Sequence, residues 1–212
     1  MSTPFLKVVY QDDYLLVLDK PSGLLSVPGR GADKQDCLSA RAQSVYSDAL
    51  VVHRLDEATS GLVLMARGKV MQAEMSRQFR ERIPKKDYIA VASGLIETDS
   101  GEMNWPLICD WENRPRQKVD YEIGKPSLTE FEVISRDIEL NTTRVRLYPI
   151  TGRSHQLRVH LQQLGHPILG DDLYADKKAQ AQSPRLCLHA HHLTILHPVM
   201  QEWLMFEAPV SF

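Results

Sequence analysis

The chain has 212 residues, of which 43% are hydrophobic and 25% charged, and a formal net charge of −2. These values exclude an intrinsically disordered protein, and a chain this long hides roughly 70% of its unfolded surface on folding, so neither disulfides nor a structural metal is required. No apolar run approaches the roughly 20 residues that span a bilayer, and Cys37, Cys109 and Cys187 stand isolated, odd in number and without a CxxC pair, which favours free thiols in a reducing compartment.

The N-terminal stretch MSTPFLKVVYQDD lacks a basic segment followed by a long apolar core, so no signal peptide is expected and the cytoplasm is the expected location. KVVYQDDYLLVLDKPSG predicts two short strands around the polar turn Gln11-Asp12-Asp13, ended by Pro21 and Gly23. GLLSVPGRGADK is a loop, and residues 36–47 suit a helix with Asp36 at its cap. LVVHRLD predicts a short strand running into a polar loop, and SGLVLMARG another strand. From Lys69 to about Ile83 the spacing is helical, with Val70, Met71, Met75 and Phe79 near one face and Pro84 as the stop.

In the second half KDYIAVASG, RQKVDYEIG, SLTEFEVISR and TTRVRLYPI predict strands, and their short connections favour antiparallel pairing. GRSHQLRVHLQQLG interrupts them as a helix carrying Leu157, Leu161 and Leu164, with Gly165 just past its end. LHAHHLTILHP and WLMFEAP are the final strands. The expected class is α+β, a mixed, mainly antiparallel sheet with packed helices, in one domain over residues 1–212.

Charge is segregated along the chain. RQFRERIPKK (77–86) holds five Lys or Arg against the single Glu81, and RVRLYPITGRSHQLRVH (144–160) holds four Arg, two His and no acid. Such segments can follow a phosphate backbone, and they equally describe solvated faces. Eight His invite a metal, yet strand alternation places His189 and His191 on one face and His192 on the other, and His155 and His160 are five apart, so no metal is expected. Ser60 in TSG and Ser154 beside His155 lack a GxSxG elbow, and neither GxGxxG nor GxxxxGK[ST] occurs, so no nucleotide cofactor is expected. In HRLDEATSG (53–61) Asp56 is either a carboxylate held ionised to react or a turn cap paired with Arg54, and Glu57 is a poor partner for a two-carboxylate hydrolase.

HRLDEATSG resembles the catalytic motif of the RluA family of pseudouridine synthases. DKPSGLLSVPG (19–29) resembles its N-terminal motif, KKDYIAVASG (85–94) its tyrosine strand, PITGRSHQLRVHLQQLGHPILGDDLY (149–174) its long C-terminal motif and CLHAHHLTILHP (187–198) its last. The resemblance implies that Asp56 is the catalytic aspartate, that Tyr88 stacks on the target uracil, that Arg158 pairs with Asp56, and that Arg54 fills the space the nucleotide vacates. It implies isomerisation of uridine to pseudouridine, with no cofactor and no metal.

The chain starts almost at the first catalytic strand, so no S4-like RNA-binding module is expected. PLICDWENRPRQKVDYEIGKP (106–126) resembles the branch acting on a tRNA anticodon stem-loop (uridine 32) and a 23S rRNA hairpin (uridine 746). RNA contacts are expected from His53, Arg54, Thr59 and Arg153, from Arg77, Arg80, Lys85 and Lys86, and from Arg114, Arg116 and Lys118. A single-substrate synthase and a binding-only relative are the alternatives, and a monomer is expected.

Overall fold

A computed structural model describes residues 5–212, so the first four residues of the stretch read for a signal peptide lie outside the described part. In chain order the elements are β1 (Val8–Gln11), β2 (Leu15–Lys20), a short 3-10 helix (Ala32–Lys34), α1 (Leu38–Val45), β3 (Ala49–Val51), β4 (Ser60–Arg67) and α2 (Gly68–Arg80). There follow β5 (Lys85–Ser93), β6 (Ser100–Asn104), β7 (Leu107–Cys109), β8 (Gln117–Val119), β9 (Leu128–Asp137) and β10 (Thr142–Pro149). The last are α3 (Gln156–Gln163), α4 (Lys177–Ala181), β11 (Leu188–Leu196) and β12 (Trp203–Glu207). The class is α+β, with strands mainly antiparallel, as the alternation of the sequence predicts. No helix among the described residues is long and apolar enough to cross a membrane.

The chain divides into two compact units. The first takes residues up to Lys86 and then His189–Ser211; the second takes Asp87–Leu188 with Phe212.

In the first unit β2 pairs antiparallel with β1 on one side and with β4 on the other, while β4 also takes β3 antiparallel and β11 in parallel through His189↔Ser60 and Ala190↔Gly61. β11 and β12 close the unit as an antiparallel pair. Leu15, Val17, Leu62 and Leu64 present one face to Met75 of α2 and to Leu193, Ile195, Phe206 and Ala208. Leu16, Leu18, Val63 and Met65 of the intervening positions are buried too, so β2 and β4 are covered on both faces, which is why they read as continuous apolar runs.

Two local expectations fail here. α1 is capped by Cys37, whose Sγ accepts from the Ala40 N–H, because Asp36 instead turns outward to hold Arg41 through Nε at 2.7 Å and Nη2 at 2.6 Å. In α2 Val70 is exposed and Gln78 is buried, so the apolar stripe is narrower than predicted; the helix ends at Arg80, before Pro84, where Arg82 takes φ 60.

In the second unit β10 lies between β5 and β9, and β9 also carries β6, all antiparallel. A separate ribbon of β7 and β8 packs Leu107 and Val119 against Val159 of α3 and Tyr174. The strand predicted over RQKVDYEIG is only Gln117–Val119. Asp120 stops it, since its Oδ1 accepts from the N–H groups of Glu122 and Ile123 and so fixes a turn. Gly165 takes φ 92 immediately beyond α3, the left-handed position expected of a helix stop.

Candidate active site

Residues 52–59, between β3 and β4, have no regular structure, yet four consecutive carbonyls of this loop are bonded. The Leu55 oxygen accepts from Ser26 Oγ at 2.7 Å, and the same hydroxyl accepts from the Leu55 N–H at 3.1 Å. The Asp56 oxygen accepts from Thr59 N–H at 3.2 Å, and the Glu57 oxygen from Gly23 N–H at 2.9 Å. Ser22 Oγ donates to the Ala58 oxygen at 2.7 Å.

At the centre of this clamp is Lys20, whose side chain is fully buried. Its Nζ donates to the carbonyls of Glu57 at 2.9 Å, Leu24 at 2.6 Å and Pro21 at 3.0 Å, one for each ammonium proton. The DKPSGLLS segment is therefore the scaffold of the HRLDEATS loop, and an irregular backbone is held with its polar groups accounted for. Asp56 sits half-buried on this fixed loop, Thr59 is buried beneath it, and Arg54 and Glu57 are exposed.

His53 anchors the loop's entry. Its Nε2 accepts from the Leu64 N–H at 2.9 Å and its ring stacks on Phe79 with centroids 4.5 Å apart. Burial, with the Lys86 charge nearby, pushes its pKa down to about 3, so the ring is neutral at physiological pH. Ser60 anchors the exit. Its hydroxyl lies 2.8 Å from His189 Nδ1, and His189 Nε2 lies 3.2 Å from the Ala208 carbonyl oxygen. The carbonyl only accepts, so Nε2 carries the proton and the serine donates. Both side chains are buried, and the pair packs the sheet.

In the second unit Tyr88 stands on β5, paired with Leu147 of β10, and is half-buried. Arg158, 3% exposed on α3, donates to Asp171 through Nε at 2.8 Å and Nη2 at 2.6 Å, and to Asp172 through Nη2 at 3.0 Å. This bidentate fork fixes the guanidinium plane. Asp171 Oδ1 also accepts from the N–H groups of Leu173 and Tyr174, so the GDDLY turn is organised around the arginine.

Tyr174 lies beneath Arg158, whose Cζ is 5.1 Å from the ring centroid, while its hydroxyl is 2.7 Å from His155 Nδ1 and accepts from the Gln117 N–H at 2.7 Å. Composition and spacing alone single out none of Lys20, Asp171, Asp172 and Tyr174. The signal available was their place inside the quoted DKPSG and GDDLY motifs.

The basic residues separate by environment. Arg77 is held by Glu74 of the same helix at 2.7 Å and by Glu81 at the helix's C-cap, and the bonded guanidinium lowers the Glu74 pKa to about 2. Lys86 is half-buried, with its pKa lowered by desolvation, whereas Arg80 and Lys85 are exposed, the latter with Nζ 5.9 Å from the Trp203 ring centroid. Arg114 stacks on Trp111 at 3.3 Å, Arg116 lies over Tyr174 at 5.5 Å, Lys118 is exposed, and exposed Arg153 donates through Nε to the Pro126 carbonyl at 3.2 Å.

Residues 14–163 match the family described as RNA pseudouridylate synthase. The chain is 57% identical over 209 residues to the dual-specificity RNA pseudouridine synthase RluA of Pasteurella multocida and 54% identical over 209 residues to that of Escherichia coli O157:H7. Each match covers 99% of this chain and 95% of the relative. Among solved structures, human RNA Pseudouridylate Synthase Domain Containing 1 matches with TM-score 0.82 at 28% identity, over 99% of this chain and 86% of that one. Human RNA Pseudouridylate Synthase Domain Containing 4 matches with TM-score 0.77 at 27% identity, over 97% and 88%.

Proposed function

This chain belongs to the RNA pseudouridylate synthase family and isomerises uridine to pseudouridine in RNA, and from that premise we propose that Asp56 is its catalytic aspartate, Tyr88 the ring that stacks on the target uracil and Arg158 its basic residue. The reaction breaks the C1′–N1 bond, turns the base and rejoins it through C5, while C5 loses a proton and N1 gains one. Atoms balance within the nucleotide, so the stoichiometry calls for no redox carrier or second substrate.

The base must leave its stack at a cost of a few kcal/mol, and an aromatic face returns about 1–3 kcal/mol by stacking, the role given to Tyr88. Arg54, exposed beside Asp56, fills the vacated space. Arg158 takes the part of the family's basic residue, and Asp171 and Asp172 fix its guanidinium in place. The observation that carries the assignment of Asp56 is the clamp: four successive carbonyls around this aspartate are tied down, so its carboxylate is offered from a rigid backbone.

The finer reading takes both a tRNA anticodon stem-loop, at uridine 32, and a 23S rRNA hairpin, at uridine 746, as substrates, with the chain working as a cytoplasmic monomer. Identity above 50% to relatives named as dual-specificity enzymes favours it over a single-substrate synthase. Exposed Arg80, Lys85, Arg114, Lys118 and Arg153 grip phosphate, and His53 and Thr59 serve the loop from inside.

The test is release of tritium from 5-labelled uridine in each RNA by the wild type and by Asp56→Asn. The expected outcome is release from both RNAs, lost in the variant at unchanged RNA affinity. Release from one RNA removes dual specificity, and release by the variant removes Asp56 from the chemistry.

A further inference from the structure

In the first unit, β11 and β12 set His192 directly opposite Glu207, and the next residue, Ala208, donates its N–H to the His191 carbonyl at 2.9 Å. Alternation would send adjacent side chains to opposite faces. Instead, the His191 and His192 ring centroids lie 3.9 Å apart with the planes tilted by 45°, so the sequence expectation that these two point apart is not met.

His191 is held by its Nδ1, 2.8 Å from the Ala208 carbonyl oxygen. A carbonyl only accepts, so the Nδ1 proton lies in that bond and the Nε2 of the neutral ring keeps its lone pair. Nε2 is 3.9 Å from Glu207 Oε1, and His192 Nε2 is 3.4 Å from Glu207 Oε2. The three ligand atoms all fall within 4.8 Å of one another.

We propose that His191, His192 and Glu207 form a binding site for a divalent transition-metal ion of the zinc class. Three features of the geometry carry this. A separation of 3.9 Å is too long for a hydrogen bond, and two acceptors facing each other leave a space whose natural occupant is a cation. Tetrahedral bonds of about 2.0–2.2 Å place ligand atoms roughly 3.3–3.6 Å apart, so the two distances to Glu207, 3.9 and 3.4 Å, need adjustments of about half an ångström, and the whole set, within 4.8 Å, closes by side-chain rotations of about 1.5 Å or less.

The third is the backbone carbonyl on the far ring nitrogen of His191, the partner that a metal-bound imidazole characteristically takes to fix its tautomer. The two imidazoles are 13% and 22% exposed and the carboxylate 60%, so an ion enters from solvent and a water completes the fourth position. Two nitrogens and one oxygen favour zinc, nickel or copper over magnesium or calcium, which take oxygen.

The experiment titrates the purified, chelator-treated full chain with Zn²⁺ against a chromophoric competitor, follows Co²⁺ by absorption, and records melting curves. One ion per chain is expected. His191→Ala and Glu207→Gln should each weaken it by about tenfold or more, a loss at least as large as that from removing an outer hydrogen-bond partner. The wild type should melt about 5–10 °C higher at a hundredfold excess of ion over its Kd, and the variants should not.

All three ligands reach solvent, so the variants are expected to melt cooperatively without metal near the wild-type temperature, which separates lost binding from lost fold. Unchanged affinity in both variants, or no saturable binding, overturns the site. A cobalt spectrum with thiolate charge transfer that disappears in Cys109→Ser places the ion on a cysteine and overturns it equally.

Discussion

Replacing Lys20 by Met keeps most of the buried volume and removes the ammonium that donates to Pro21, Leu24 and Glu57. The Glu57 carbonyl keeps a second donor, the Gly23 N–H. The Pro21 and Leu24 oxygens, the first part-buried and the second buried, lose Nζ; an acceptor buried without a donor costs about 1–3 kcal/mol, which bounds the loss for the two at about 6 kcal/mol. Relief from burying a charge offsets part of this, which leaves a net loss of about 3 kcal/mol.

With a urea m-value of about 2 kcal/mol/M the unfolding midpoint should fall by about 1.5 M. The Glu57 bond ties the scaffold to the Asp56 loop, so the folded variant should also form pseudouridine more slowly at unchanged RNA affinity. Urea titration and tritium release check both. A midpoint within about 0.3 M of the wild type, with full turnover, would refute the claim that this ammonium holds the loop.

Three further outcomes are expected. His53 has its folded pKa depressed from 6.5 to about 3, so the unfolded chain binds the extra proton between those values; stability is present above pH 6.5 and is lost as pH falls toward 3, by up to about 1.4 kcal/mol per pH unit from this one group. Urea midpoints between pH 4 and 7 should show that slope, and His53→Gln should flatten it.

Gly61 has φ +109, and a Cβ there would lie 2.3 Å from the Ala190 carbonyl oxygen on the neighbouring strand; Gly61→Ala should cost more than about 3 kcal/mol, read by chemical unfolding. Arg80→Ala should lower the salt slope of RNA binding by about 1, whereas Arg77→Ala, whose charge is already matched by Glu74 and Glu81, should barely move it; equal effects in a filter-binding series would discard the distinction.

What was readable in the sequence follows from where each signal resides. β2 and β4 declare themselves because continuous apolar runs between Gly, Pro and Asp have few other fates. β6, SGEMN, does not, since its residues are poor strand formers and pairing with β9 alone makes it a strand. Asp36 looks like a helix cap until Arg41, five residues on, competes for its carboxylate. The long motifs pointed to Asp56, Tyr88 and Arg158 through resemblance. The clamp was illegible, because a lysine in DKPSG reads as solvated, and only a partner 37 residues away, Glu57, makes it an interior residue.

The first unit is discontinuous: the chain leaves it at Lys86 and returns at His189. During synthesis at about 5–20 residues per second, the roughly one hundred intervening residues take about 5–20 seconds to emerge. Throughout that interval Leu15, Val17, Leu62 and Leu64 exist without the Leu193, Ile195 and Phe206 that later cover them. A nascent chain stalled before β11 should therefore expose a sticky apolar face and recruit chaperones, while one extended past β12 should resist protease.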